Sequence, residues 1–176
     1  GGVGKTTSTF NIAAGLATAG KKVLAVDMDP QRHLTRAMGY IPEEIEDTIA
    51  DILGALIRVD PIEKTDIEDL IIRRNEVDLI PANIALSSVD VAIVTATARE
   101  YLLREVLAMI REDYDYVLID CLPSLGMLAI NALTAADSVI VPIRAQYLDL
   151  NGFTLLKDSI QLLQHKTNKK LKIQGV

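Results

Sequence analysis

The sequence predicts an α/β fold of the doubly wound kind, a mostly parallel sheet with helices on both faces. Three observations carry that expectation. Several short apolar runs are near-continuous rather than alternating, which is how strands buried on both faces read. Segments with apolar residues at helical spacing lie between them. The 176 residues, 49% hydrophobic and 24% charged, suffice for one such domain and not for two.

The elements follow in chain order. A helix leaves Gly1-Gly2-Val3-Gly4-Lys5-Thr6-Thr7, with Phe10, Ala13, Ala14 and Ala17 on one face. Val23-Leu24-Ala25-Val26 is the first strand and Asp78-Leu79-Ile80 the next. Between them Ile45, Ile49, Ile52, Leu53 and Leu56 form a helical stripe, with Glu46, Asp47 and Asp51 outward. Leu102, Leu103, Val106, Leu107 and Ile110 make a second stripe, where Glu100 stands four residues before Arg104 for exposed-face support. Val117-Leu118-Ile119 and Val139-Ile140-Val141 are further strands, and a third helix carries Phe153, Leu156, Ile160 and Leu163. Leu171 to Val176 reads as a strand cut short. A glycine-rich phosphate loop normally follows a buried strand. The expectation is therefore one domain over residues 1–176, truncated at both ends and missing a central strand.

Composition narrows the function classes. No apolar run approaches the roughly 18 to 20 residues that span a bilayer, so no integral membrane segment is expected. A single cysteine, Cys121, excludes an internal disulfide framework and an all-cysteine metal site within one chain. That fits a reducing cytoplasm, the expected location. With five Tyr, two Phe and no Trp, base stacking on aromatic platforms is a poor mode of nucleic-acid binding. The net charge of −6 is lopsided: residues 42–78 hold 12 acidic and 4 basic residues, and the remainder is mildly basic. His33 and His165 stand apart from other ligand types and read as solvated.

Three segments carry chemistry. In the first, glycines let backbone N–H groups converge on an anion and the helix N-terminus adds positive potential. Lys5 supplies a charge for the β- and γ-phosphates, and Thr6 a hydroxyl for Mg²⁺. The full phosphate-loop pattern extends two positions before Gly1. The second segment, Val26-Asp27-Met28-Asp29-Pro30-Gln31, ends a strand where an open parallel sheet meets its ligand crevice, and its two aspartates can serve Mg²⁺ and an attacking water. The third, Val117-Leu118-Ile119-Asp120-Cys121-Leu122-Pro123-Ser124, puts Asp120 at the end of another strand as the Mg²⁺-side carboxylate. Lys166, Lys169, Lys170 and Lys172 form a basic run, read either as part of a DNA-phosphate surface or as cations favoured at a helix C-terminus.

Together these segments resemble the ParA/Soj/MinD family of deviant-Walker P-loop ATPases, most closely its ParA/Soj partition branch. The likeness runs through GGVGKTT, VDMDPQ, DLIPANIALS, REYLLREVL, YDYVLIDCLPSLGMLAINAL and ADSVIVPIRAQYLDLNG. It implies a P-loop NTPase fold, with Gly1, Gly2, Val3, Gly4, Lys5, Thr6 and Thr7 binding nucleotide. Lys5 and Asp29 would be catalytic, Asp29 orienting the attacking water, while Thr6, Asp27 and Asp120 would serve the metal. ATP and Mg²⁺ are the implied cofactors. The implied partners are a second copy in an ATP-dependent homodimer, non-specific DNA, and a partition-type protein that stimulates the ATPase. The family's second lysine falls immediately before Gly1. Leu122 replaces the first of two prolines, and Gln146 stands where Glu is usual. The function so implied is an ATP-hydrolysing switch in chromosome or plasmid partition or cargo positioning. The alternatives are a nucleotide-gated interaction protein with negligible turnover, and a MinD-like membrane-associated positioning ATPase.

Overall fold

The computed structural model describes residues 2–73, 76–122, 125–143 and 147–176, apart from the side chains of 147–155. At its centre lies β1 (Val23–Met28), flanked by β2 (Val77–Ile80) and β3 (Tyr116–Cys121) in a three-stranded parallel sheet. All six residues of β1 are buried. Side chains alternate along a strand, so the strand serves two cores at once. Leu24, Val26 and Met28 enter the larger core, whereas Val23 and Ala25 enter a smaller one. An apolar run without alternation is the direct consequence of this double burial.

The smaller core is closed by Ala13, Leu16 and Ala17 of α1 (Lys5–Thr18) and by Leu34 of α2 (His33–Ala37). The larger core packs α3 (Ile49–Ile57), α4 (Lys64–Leu70), α5 (Leu86–Ala92), α6 (Leu102–Ile110) and α7 (Met127–Ala135) on the other face. Each fully buried leucine or isoleucine there, such as Leu53, Ile67, Leu86 and Leu103, contributes roughly 1.5–3 kcal/mol. A second sheet pairs β4 (Ser138–Ile140) with β5 (Lys172–Gly175), again in parallel, under α8 (Tyr147–Lys166). Leu133, Val141, Ile160, Leu163 and Leu171 form its core. The fold is thus α/β with parallel strands and helices on both faces.

Some details differ from the sequence reading. The helix expected from Ile45 starts at Ile49, because Thr48 caps it: its hydroxyl accepts from the Ala50 N–H at 3.3 Å, and Asp51 accepts from the Thr48 N–H at 2.8 Å. Pro42–Glu44 forms a separate 3₁₀ turn. Glu100 lies before α6 and pairs with Arg99 at 3.1 Å rather than with Arg104. The sequence pattern does not announce the short helices α2, α4 and α5, nor α7. In α7, Leu128, Ala129, Asn131, Ala132, Leu133 and Thr134 are all buried, so no apolar stripe stands out. Among the described residues no helix is long and apolar enough to cross a membrane.

Candidate functional site

Strand alternation aims the key carboxylates. Asp27 and Asp120 are register partners on β1 and β3. Both fall on the face of Val23, Ala25 and Leu118, the face that α1 covers. The first turn of α1 therefore meets them.

That helix opens at Gly4, with φ 87°, after Gly2 with φ 86°. Both values lie where a side chain is strained, and no atom stands within 4 Å of where a Cβ would sit on either residue. The loop is thus open at both glycines. The first helical bond runs from the Ser8 N–H to the Gly4 carbonyl at 2.8 Å. The preceding N–H groups are those a helix N-terminus offers to an anion. Lys5 and Thr6 are half-buried, Val3 and Gly4 likewise, while Gly2 and Thr7 are exposed. Gly1, Pro123, Ser124 and Gln146 lie outside the described residues.

Asp120 receives the Thr6 hydroxyl at 2.6 Å on one oxygen, and the Thr9 hydroxyl at 3.5 Å on the other. Burial raises its pKa; the Thr6 bond opposes the rise, nearby Asp29 adds to it, and Lys5 works against it. Asp27 has no exposed surface. One of its oxygens accepts from the Asp29 N–H at 3.1 Å. The other accepts from the Thr35 N–H at 2.8 Å and the Thr35 hydroxyl at 2.7 Å. Burial pushes its pKa up to about 6 despite those bonds. Cys121, the next residue on β3 after Asp120, is held as a thiol, its pKa pushed up to about 12 by burial and by the surrounding carboxylates.

Asp29 is 6% exposed. Its Oδ1 accepts from the Gln31 N–H at 2.8 Å, and its Oδ2 lies 2.9 Å from His33 Nδ1. The turn between them is closed by the Arg32 N–H to the Asp29 carbonyl at 2.7 Å. Arg32 adopts φ 60°, uncommon for a residue other than glycine. Its guanidinium is anchored on Glu43 at 3.1 Å, and Arg36 meets the same carboxylate at 3.0 Å. His33 is therefore solvated, with its side chain 61% exposed, yet not isolated, since Asp29 is its partner. Thr35 carries no sequence signal, and the one signal for the His33 pairing is its place four residues after Asp29.

Among the described residues no three His, Cys, Asp or Glu side chains gather as a metal cage. The four exposed lysines 166, 169, 170 and 172 sit where α8 ends and β5 begins. A groove of about 480 Å³ opens at the amino end of β1, beside Lys22, Arg73, Asp78 and Tyr114, far along the strand from Asp27.

A family model, AAA_31, described as an AAA domain, matches residues 1–173. The chain is 42% identical over 177 residues to the sporulation initiation inhibitor protein Soj of Bacillus subtilis, covering all of this chain and 67% of Soj. It is 40% identical to the chromosome partitioning protein ParA of Myxococcus xanthus, covering all of this chain and 60% of that protein. Among solved structures, cobyrinic acid a,c-diamide synthase from Mycobacterium smegmatis, with bound ATP analog and magnesium, superposes with a TM-score of 0.89 at 37% identity. That likeness covers 98% of this chain and 68% of the synthase. The chain thus spans about two thirds or less of the length of these curated relatives.

Proposed function

The chain belongs to the AAA_31 family and to the ParA/Soj group of P-loop ATPases, and from that membership we propose that it is a Mg²⁺-dependent switch that binds and hydrolyses ATP. The observation that carries the reading is one cluster: the open Gly2–Gly4 loop leads into Thr6, whose hydroxyl lies 2.6 Å from Asp120, a carboxyl near enough to Asp29 to feel its charge. Phosphoryl transfer asks chiefly for positioning and charge neutralisation, and these groups supply both.

The residues divide the work. The backbone from Gly1 to Thr7 cradles phosphate, and Lys5 brings a positive charge to it. Thr6 and Asp120 form the metal side, with Asp27 buried behind them. Mg²⁺, when bound, neutralises charge on the β- and γ-phosphate oxygens. Asp29 orients the attacking water. Asp27 holds the Asp29 N–H and Thr35, so that the loop between them keeps its shape. By likeness to Soj and ParA, the switch pairs two copies around ATP and serves chromosome or plasmid partition, or cargo positioning, with non-specific DNA and a stimulating partner protein.

Lys5→Ala is expected to abolish nucleotide binding, measured by calorimetry. Asp29→Ala should retain binding and lose turnover. Normal ATP hydrolysis by Asp29→Ala would remove Asp29 from its role. A second reading, a nucleotide-gated interaction protein with negligible turnover, draws on Leu122, which stands in place of the first of the family's two prolines and packs against the larger core. Steady-state ATPase of the full-length protein, with and without DNA, separates the two. Stimulated turnover supports the switch; none under any condition supports the interaction protein.

A further inference from the structure

Asp29 is held by two donors of different kinds. The Gln31 bond at 2.8 Å comes from backbone and exists whatever side chain stands there. The His33 contact at 2.9 Å depends on the residue type. An ionised carboxylate only accepts, so the ring nitrogen facing it carries the hydrogen. With one donor on each oxygen, the carboxylate cannot rotate freely about its Cβ–Cγ bond. About four acceptor positions exist on a carboxylate, so roughly two stay open for other work.

The platform under His33 is itself fixed. Two residues on, Thr35 is tied to Asp27 through both its N–H and its hydroxyl, and that hydroxyl also accepts from the Ala82 N–H at 3.3 Å. The buried end of β1 and the segment after β2 thereby hold the turn that presents His33. The imidazole is the outer partner of the pair, 61% exposed against 9% for the Asp29 side chain.

We infer that His33 is a positioning residue for Asp29: its Nδ1–H holds the carboxylate in one orientation and leaves the remaining lone pairs for water. This rests on Asp29 being the turnover carboxylate. Because His33 acts through Asp29, its loss is expected to fall on kcat rather than on nucleotide affinity.

The test uses the full-length protein, comparing His33→Ala, His33→Asn and Asp29→Ala for kcat, KM, ATP affinity and thermal midpoint. His33→Ala should lower kcat about three- to tenfold, in the range of one ordinary, solvent-accessible hydrogen bond. KM, affinity and midpoint should hold. His33→Asn, whose amide can donate, should recover most of the loss. An unchanged kcat in His33→Ala, or no rescue by asparagine, overturns the inference. Nitrogen NMR of the ring gives a readout independent of turnover. The Nδ1–H tautomer should dominate at His33 and be lost in Asp29→Ala; an Nε2–H tautomer in the unaltered protein overturns the pairing. Normal turnover by Asp29→Ala faults the proposed function instead. An inactive Asp29→Ala beside an unaffected His33→Ala faults this inference alone.

Discussion

Asp27 shows how one residue can be essential to geometry and costly to stability. Its pKa is raised from 3.8 to about 6, first by burial. A carboxyl with a raised folded pKa favours the folded state when protonated. That contribution is fully present below about pH 4 and lost as pH rises through about 6. In the nucleotide-free protein, urea unfolding at several pH values should therefore show this loss between pH 4 and 6, and Asp27→Asn should flatten it. An equally steep profile in Asp27→Asn would assign the effect to another group. At this same scale Lys5, Thr6, Asp27, Asp29 and Asp120 are candidates the sequence offers, because each sits in a short contiguous motif next to a strand or helix end. The roles of His33 and Thr35 are not legible in it. Their partners are four and eight residues away across a turn whose course depends on Arg32 at φ 60°, and no local pattern announces that conformation.

Elements are joined here by a few buried polar groups as well as by apolar packing. Asn131 of α7 is fully buried. Its Oδ1 accepts from the Leu103 N–H of α6 at 3.1 Å, and its Nδ2 donates to the Arg99 carbonyl at 2.7 Å and the Met127 carbonyl at 3.0 Å. Removing the amide leaves those backbone groups without their partner in a dry interior. Asn131→Ala should cost about 2–3 kcal/mol, measured by urea unfolding; a loss under about 0.5 kcal/mol would mean water takes the amide's place. Asn168 acts similarly under the second sheet, donating to the Leu133 carbonyl at 2.9 Å and the Ala136 carbonyl at 2.6 Å. β1 and β2 were legible because burial on both faces leaves continuous apolar runs, and α6 because one face alone is buried. α7 was illegible for the opposite reason, burial nearly all round.

For the whole molecule, the sharpest expectation is linkage between nucleotide and fold. A ligand that binds only the native state stabilises it by about 2.7 kcal/mol at a hundredfold excess over its Kd. For a chain of 176 residues this should raise the thermal midpoint by about 5–10 °C with Mg²⁺ and ATP, and Lys5→Ala should abolish the shift. A full shift in Lys5→Ala would place the nucleotide elsewhere. Charge also belongs to this scale. The acidic block of residues 42–78 puts Glu43 against Arg32 and Arg36, so part of its excess charge braces the Asp29 turn. Residue order alone sufficed for the α/β class, the phosphate loop and the two aspartate loops, because periodicity and contiguous motifs are local properties. Only the folded chain could bring Thr6 to Asp120, 114 residues apart, and seat His33 on Asp29. The first depends on which strands become neighbours in register, and the second on how a turn is held; both are settled by packing between distant segments.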